Sequence, residues 1–309
     1  MGKDTERDGL KMENFTLTLG LMILGKIFSQ LKVFPVDSAK SFNLYVVYVA
    51  LPGLILLQIP QLTLSSDLLI LILMPWGMLA LSAFFVLLLA RIYGWRREIT
   101  GALLLMVPLG NTSFLGIPMV ESFFGSKQIP YAILYDQLGS FLGLTVYGSI
   151  ILAIYGGGEK ITFLSLIKRV CLFPPFIALV MALLSILFPY PHMVRSMLEP
   201  IAASLIPVVM IAVGFQLKLR LPRDTLSPLG YGLLIKLVVA PVFALLACIF
   251  WSWDSIPAKI AVFETGMPPM ITAGALAIVA GLAPELIAGM VGFGIVLSFL
   301  TLPVLFQLL

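Results

Sequence analysis

Apolar residues fill this chain in blocks of about twenty, parted by short connections that carry its charges, prolines and glycines. A block of that length spans a hydrocarbon core of about 30 Å as a helix, the form that pairs every backbone group within one segment. Ten such blocks are predicted: Asn14–Val33, Ser41–Ser66, Leu68–Ala90, Ile99–Phe124, Ile129–Tyr155, Val170–Phe188, Pro200–Leu217, Thr225–Phe250, Ile256–Gly281 and Pro284–Leu309. Lys26, Ser29 and Gln30 interrupt the first. No signal-peptide cleavage pattern follows it, so it is read as structure.

Two blocks break the pattern from inside. The fourth holds "GNTSFLGIPMV" (Gly110–Val120) and the ninth "ETGMPPM" (Glu264–Met270). Pro118, Pro268 and Pro269 remove helical hydrogen bonds, and Gly110, Gly116 and Gly266 permit close backbone approach. Freed backbone is tolerated at membrane depth where protein or a watery cavity encloses it. The two breaks also occupy equivalent places in a repeat. Pro52 pairs with Pro207, Pro75 with Pro228, Asn111 with Glu264 and Pro130 with Pro284, at offsets of 153 to 155 residues. Each half then has an odd number of spans, so the second inserts upside down. Inverted repeats with discontinuous helices are a signature of secondary transporters, with half-helix N-termini facing an anion and loose carbonyls a cation. The predicted fold is therefore all-α and polytopic. Residues 1–155 form the first five-helix repeat, 156–165 a short cytoplasmic hinge and 166–309 the second repeat.

Composition agrees. Of 309 residues, 60% are hydrophobic and 11% charged, and the mean hydropathy is +1.09. A soluble domain carries about 25% charged residues. The net charge of +4 is scattered over connections and forms no nucleic-acid stripe. Cys171 and Cys248 lie in different blocks and are read as small core residues. The single histidine, His192, beside Pro191 in an expected loop, leaves no His-based metal cluster and no catalytic pairing, so no enzyme, metal or cofactor is expected. The run "GGGEK" lacks the Walker spacing and is read as a hinge. Lysines and arginines orient the bundle. Eleven fall in connections after odd-numbered spans, among them Arg91, Arg96, Arg97, Lys168 and Arg169, against six on the other side, including Lys127, Arg195 and Lys259. The positive-inside rule then puts the odd connections in the cytoplasm and both termini outside, in a plasma (inner) membrane. A homodimer stays open.

"GNTSFLGIPMV", "YVVYVALPGLILL" in the second span and "MPPMITAGALA" in the ninth resemble the auxin efflux carrier family, over nearly the whole chain. That family includes plant carriers and bacterial malate or malonate transporters. The resemblance implies ten spans, crossed fourth and ninth helices, a fold similar to bile-acid/sodium symporters, and elevator-like motion against a scaffold of spans one, two, six and seven. It also implies that Asn111 contacts a substrate carboxylate. The long cytoplasmic insertion of the plant members is absent, which places the chain with the short prokaryotic branch.

The expected function is secondary transport of a small organic anion, with a uniporter, channel or transceptor of the same fold as the alternative. The substrate site is expected at Asn111, Thr112, Ser113, Pro118, Lys236, Pro268 and Pro269, and ion coupling at Glu121, Asp136, Glu264 and Thr265. Proton and sodium both remain open as coupling ions, sodium being held by Asn111, Thr112 and Glu264. Plainer roles stand beside these: Asn111 and Thr112 as helix caps, Glu264 as partner of a buried lysine, Lys236 as that partner, an anion anchor or a snorkelling side chain. Asp136 faces either the cavity or the outer interface. Glu121 nears the end of its span, where water would solvate it, and Lys26 reads as an interfacial or scaffold charge.

Overall fold

In a computed structural model, residues 2–35, 37–63, 65–156, 162–219 and 223–309 are described. Among them the regular structure is helical, and one isolated β-bridge occurs. Half of the predicted hinge, residues 157–161, lies outside the described residues. Helix α1 is Gly2–Phe28, α2 Ser38–Gln61 and α3 Ser66–Tyr93. The fourth block divides into α4 (Arg97–Met106) and α5 (Ile117–Phe124). Next come α6 (Ser126–Tyr155), α7 (Phe163–Cys171), α8 (Pro174–Ser185), α9 (His192–Gln216) and α10 (Leu226–Phe250). The ninth block divides into α11 (Ile256–Thr265) and α12 (Ile271–Val279), and α13 is Pro284–Gln307.

Among the described residues six helices, α2, α3, α6, α9, α10 and α13, are long and apolar enough to cross a membrane, and seven if α7 and α8 form one span bent by 66°. The remaining predicted spans are the first, whose helix starts in the charged N-terminal residues, and the broken fourth and ninth. Several boundaries differ from expectation, the second helix for one ending at Gln61 and not Ser66. The first helix stops at Phe28, not Val33, where the chain turns and Ser29 Oγ bonds the Lys26 carbonyl at 2.7 Å. The sixth block bends after Cys171 because Pro174 and Pro175 cannot extend the preceding helix. The seventh starts earlier: Pro191 leads into His192, the first residue of α9 and not a loop residue. Cys248 is buried as expected, whereas Cys171 is exposed at the bend.

Prolines shape the long helices without stopping them. Pro52 and Pro241 each follow a π-helical turn, Val46–Ala50 and Ile235–Val239. A widened turn gives room for the pyrrolidine ring and absorbs its missing donor. Many large apolar side chains on these helices stay exposed, such as Phe84, Leu88, Leu184, Leu246 and Leu300. Lipid is the solvent such a surface needs.

The chain's contacts divide it into two compact units interleaved in sequence. One comprises Met1–Leu64, Ser113–Ile133 and Val170–Leu217, thus α1, α2, α5, α8 and α9. Its tightest packing brings α1 against the end of α9. A Cβ on Gly214 would lie 1.9 Å from the Met22 carbonyl oxygen, and one on Gly25 2.2 Å from that of Ile211. Small residues that let backbones touch are the usual adhesive of membrane helices. Lys26 Nζ donates to the Leu217 carbonyl at 2.8 Å, a cation at the C-terminal end of α9, where the helix dipole favours it. Lys26 is thus a cap inside this unit.

The other unit comprises Ser65–Thr112, Leu134–Arg169 and Lys218–Leu309. Its core centres on α4, where every residue from Ile99 to Met106 is buried. Leu103, Leu105 and Met106 join Ala273 and Ala277 of α12 and Leu286, Ile287 and Met290 of α13 in one apolar cluster. That cluster holds the ends of both broken helices.

Candidate functional site

The site grows from the two breaks. Helix α4 ends at Met106 and Pro108 follows at once; α11 ends at Thr265, and Pro268 and Pro269 precede α12. Neither break leaves its backbone loose. The Asn111 N–H donates to the Pro268 carbonyl at 2.8 Å, and the Met270 N–H donates to the Leu109 carbonyl at 3.0 Å. Gly110 and Pro269 thereby form an antiparallel bridge. Each break satisfies the other, which is how extended backbone survives here. Two of the carbonyls expected to face a cation are therefore already spent. Gly294 of α13 admits the bridge: a Cβ there would stand 2.6 Å from Pro269 Cδ.

Charged and polar side chains converge on this bridge. Lys236, 4% exposed, projects from the π turn of α10, and its ammonium donates to the Thr265 carbonyl at 3.3 Å. A Cβ on Gly110 would sit 3.1 Å from that nitrogen, so the glycine makes room for it. Glu264 is fully buried, and neither carboxylate oxygen has a hydrogen-bond partner among the described residues. It interacts electrostatically with Asp136 and Lys236. Asp136, 1% exposed, begins the π-helical turn Asp136–Phe141 and accepts a short hydrogen bond from Thr112 Oγ1. It accepts a second from Gln137 Nε2 at 2.8 Å. Thr265 Oγ1 is turned back onto the Val262 carbonyl at 2.6 Å. Asn111, 3% exposed, keeps its amide nitrogen Nδ2 buried and without an acceptor among the described residues. A buried donor left unpaired costs about 1–3 kcal/mol.

Gly110, Thr112, Tyr135, Lys236, Glu264 and Thr265 line a cavity of about 20 Å³, together with Pro75, Ser82 and Ser140. Room for one water takes about 10–15 Å³ on this measure. The space fits a water or a bare small cation and excludes a carboxylic acid.

Of the residues expected at the site, Asn111, Thr112, Asp136, Lys236, Glu264, Thr265, Pro268 and Pro269 lie in this one unit. Asp136 does not itself line the cavity; it is buried behind it, bonded to Thr112, which does. Ser113, Pro118 and Glu121 belong to the other unit. There Ser122 Oγ donates to the Pro118 carbonyl at 2.8 Å, and Ser122 and Thr18 hydroxyls lie 3.3 Å apart. Glu121 is half-buried on the wall of a separate cavity of about 380 Å³, whose lining also includes Asn14, Thr18, Gln58 and Glu199. Gln137 was missed from sequence. It is 1% exposed and clamps Asp136; a polar residue beside an acid within an apolar span was the available signal.

A family model described as "Membrane transport protein" matches residues 12–306. An uncharacterized transporter of Methanothermobacter thermautotrophicus is 28% identical over 295 residues, covering 94% of this chain and 96% of that protein. An uncharacterized transporter of Methanocaldococcus jannaschii is 26% identical over 275 residues, covering 84% of this chain and 86% of its own length.

Proposed function

Because this chain belongs to the membrane transport protein family, the family of the auxin efflux carriers, we propose that it is a secondary active transporter for a small organic anion. Malate, malonate and auxin-like monocarboxylates represent the class. In this reading the ten blocks are ten spans in two inverted repeats, and transport proceeds by elevator-type alternating access with both termini outside the cytoplasm. The observation that carries the reading is the buried Asn111 side-chain nitrogen Nδ2, without an acceptor among the described residues, beside the bridged breaks. An intramembrane donor kept without an acceptor is expensive and marks a ligand contact. Lys236 supplies positive charge beside Glu264 and the Thr265 carbonyl. The small cavity is the coupling part of the site, with Glu264 as the group that carries a proton or holds a cation while the binding site changes sides.

The test is counterflow in proteoliposomes loaded with malate, malonate or indole-3-acetate. A secondary carrier gives saturable, trans-stimulated uptake of at least one of them. Linear flux without trans-stimulation supports a channel, and binding without flux supports a transceptor. Glu264→Gln separates coupling from uniport. A coupled carrier loses its dependence on pH or sodium in that variant, whereas a uniporter keeps the wild-type rate in every gradient.

A further inference from the structure

Lys236 lines the cavity between Gly110 and Glu264 and brings its ammonium to the Thr265 carbonyl there. In discontinuous-helix transporters the alkali cation sits where unwound carbonyls and half-helix C-terminal ends converge with acidic side chains. Those groups are present here: the C-terminal end of α11 at Thr265, the Glu264 carboxylate and the nearby Asp136. The carbonyl of that end, Thr265 O, is bonded by the Lys236 ammonium. The Leu109 and Pro268 carbonyls are taken by the bridge. Asp136 is held by Thr112 and Gln137. Among these groups the Glu264 oxygens are the ones without a hydrogen bond, in a space of about 20 Å³ beside that ammonium.

We infer that the Lys236 side chain is a tethered cation standing in the place of an alkali coupling ion, so that this protein binds no sodium at its helix crossing. This rests on the reading of the cavity as the coupling site, and it assigns Lys236 to that cavity instead of to the organic anion. Lysine suits the role because its ammonium is a compact charge on a flexible stem with three donors. Bound at the end of α11, it gains from the helix dipole as a metal cation would. Gly110 belongs to the device, since the ammonium fills the volume a side chain there would need. A covalently held cation does not dissociate, so the positive charge at this position needs no sodium gradient to supply it.

The test needs no transported substrate, so its failure is distinct from failure of the carrier reading. Purified wild-type protein and Lys236→Met are melted in sodium chloride and in choline chloride at equal ionic strength. Wild type is expected to unfold at the same temperature in both salts. Lys236→Met, whose carboxylate and carbonyl have lost their cation, is expected to gain a sodium-specific rise of about 2–4 °C or more that grows with sodium concentration. A sodium-specific shift in wild type overturns the inference, as does a folded Lys236→Met that ignores sodium. Should Lys236→Met fail to fold in either salt, the double variant Lys236→Met with Glu264→Gln decides. Recovery of a folded protein indifferent to sodium supports the tethered cation, because the carboxylate it served is gone. Continued failure of the double variant overturns it.

Discussion

At the scale of single residues, the site depends on which polar atoms are paired and which are held open. Asn111 splits these roles: its backbone N–H is spent on Pro268, while its side-chain Nδ2 is kept for an acceptor. Asn111→Ala removes the second and spares the first. It should therefore weaken anion binding by about 1–3 kcal/mol, roughly 5- to 150-fold, with little change in expression or melting temperature. Binding of malate, malonate or indole-3-acetate to the purified variant checks this, and wild-type affinity for whichever of them the parent binds removes Asn111 from the site. Gly110→Ala acts on a neighbouring atom. Its new methyl meets the Lys236 ammonium at 3.1 Å, closer than the two pack comfortably. The expected outcome is a folded protein with transport reduced about tenfold or more, since misplacing a site group by about 1 Å can cost 100-fold. Uptake at wild-type rate by this variant shows that the ammonium shifts freely.

Among the elements, the helix ends and the contacts between backbones carry the weight. The α1 and α9 pair in the first unit is held by glycines with no spare volume, because Gly214 and Gly25 face carbonyl oxygens of the opposite helix. Gly214→Ala and Gly25→Ala should each destabilise the protein by about 1–3 kcal/mol through overpacking. Gly20 and Gly230, which have open space around the missing Cβ, should accept alanine with little loss. Thermal unfolding of the four variants in one detergent checks the contrast. Equal melting temperatures across the set would show that α1 is free to shift on α9. The π turns before Pro52 and Pro241 make the complementary point, since prolines in continuous spans are absorbed by a local change of winding. Pro118, expected to break the fourth block, likewise follows a π turn, Thr112–Gly116, whereas Pro108, Pro268 and Pro269 lie at the two breaks, where a β-bridge pairs the freed backbone.

For the molecule as a whole, charge placement argues for orientation. The excess of lysine and arginine after odd-numbered blocks predicts cytoplasmic odd connections and external termini. Single cysteines at Glu159 and Leu309, in a background where exposed Cys171 and buried Cys248 are serine, give a direct measurement. A membrane-impermeant maleimide applied to intact cells should label position 309 and not position 159. The reverse pattern inverts the topology. The two compact units each draw on both halves of the chain.

The pattern of apolar blocks was enough to establish a helical membrane protein, the prolines and glycines enough to locate both breaks, and isolated polar residues enough to nominate Asn111, Asp136, Lys236 and Glu264. These are local properties, since span length, missing donors and the cost of a buried charge are visible one segment at a time. The pairing was not legible. Nothing in the chain's order says that Asn111 bonds Pro268, that Lys236 caps α11 instead of snorkelling, or that Gln137 and Thr112 hold Asp136. Nor does it say that Glu121 lines a different cavity in a different unit. Hydrogen bonds and cavities exist between segments far apart in sequence, and packing chooses them from many chemically equivalent partners. The chain therefore nominated most of the polar residues that gather at the bridged breaks, and their wiring was decided by the tertiary structure.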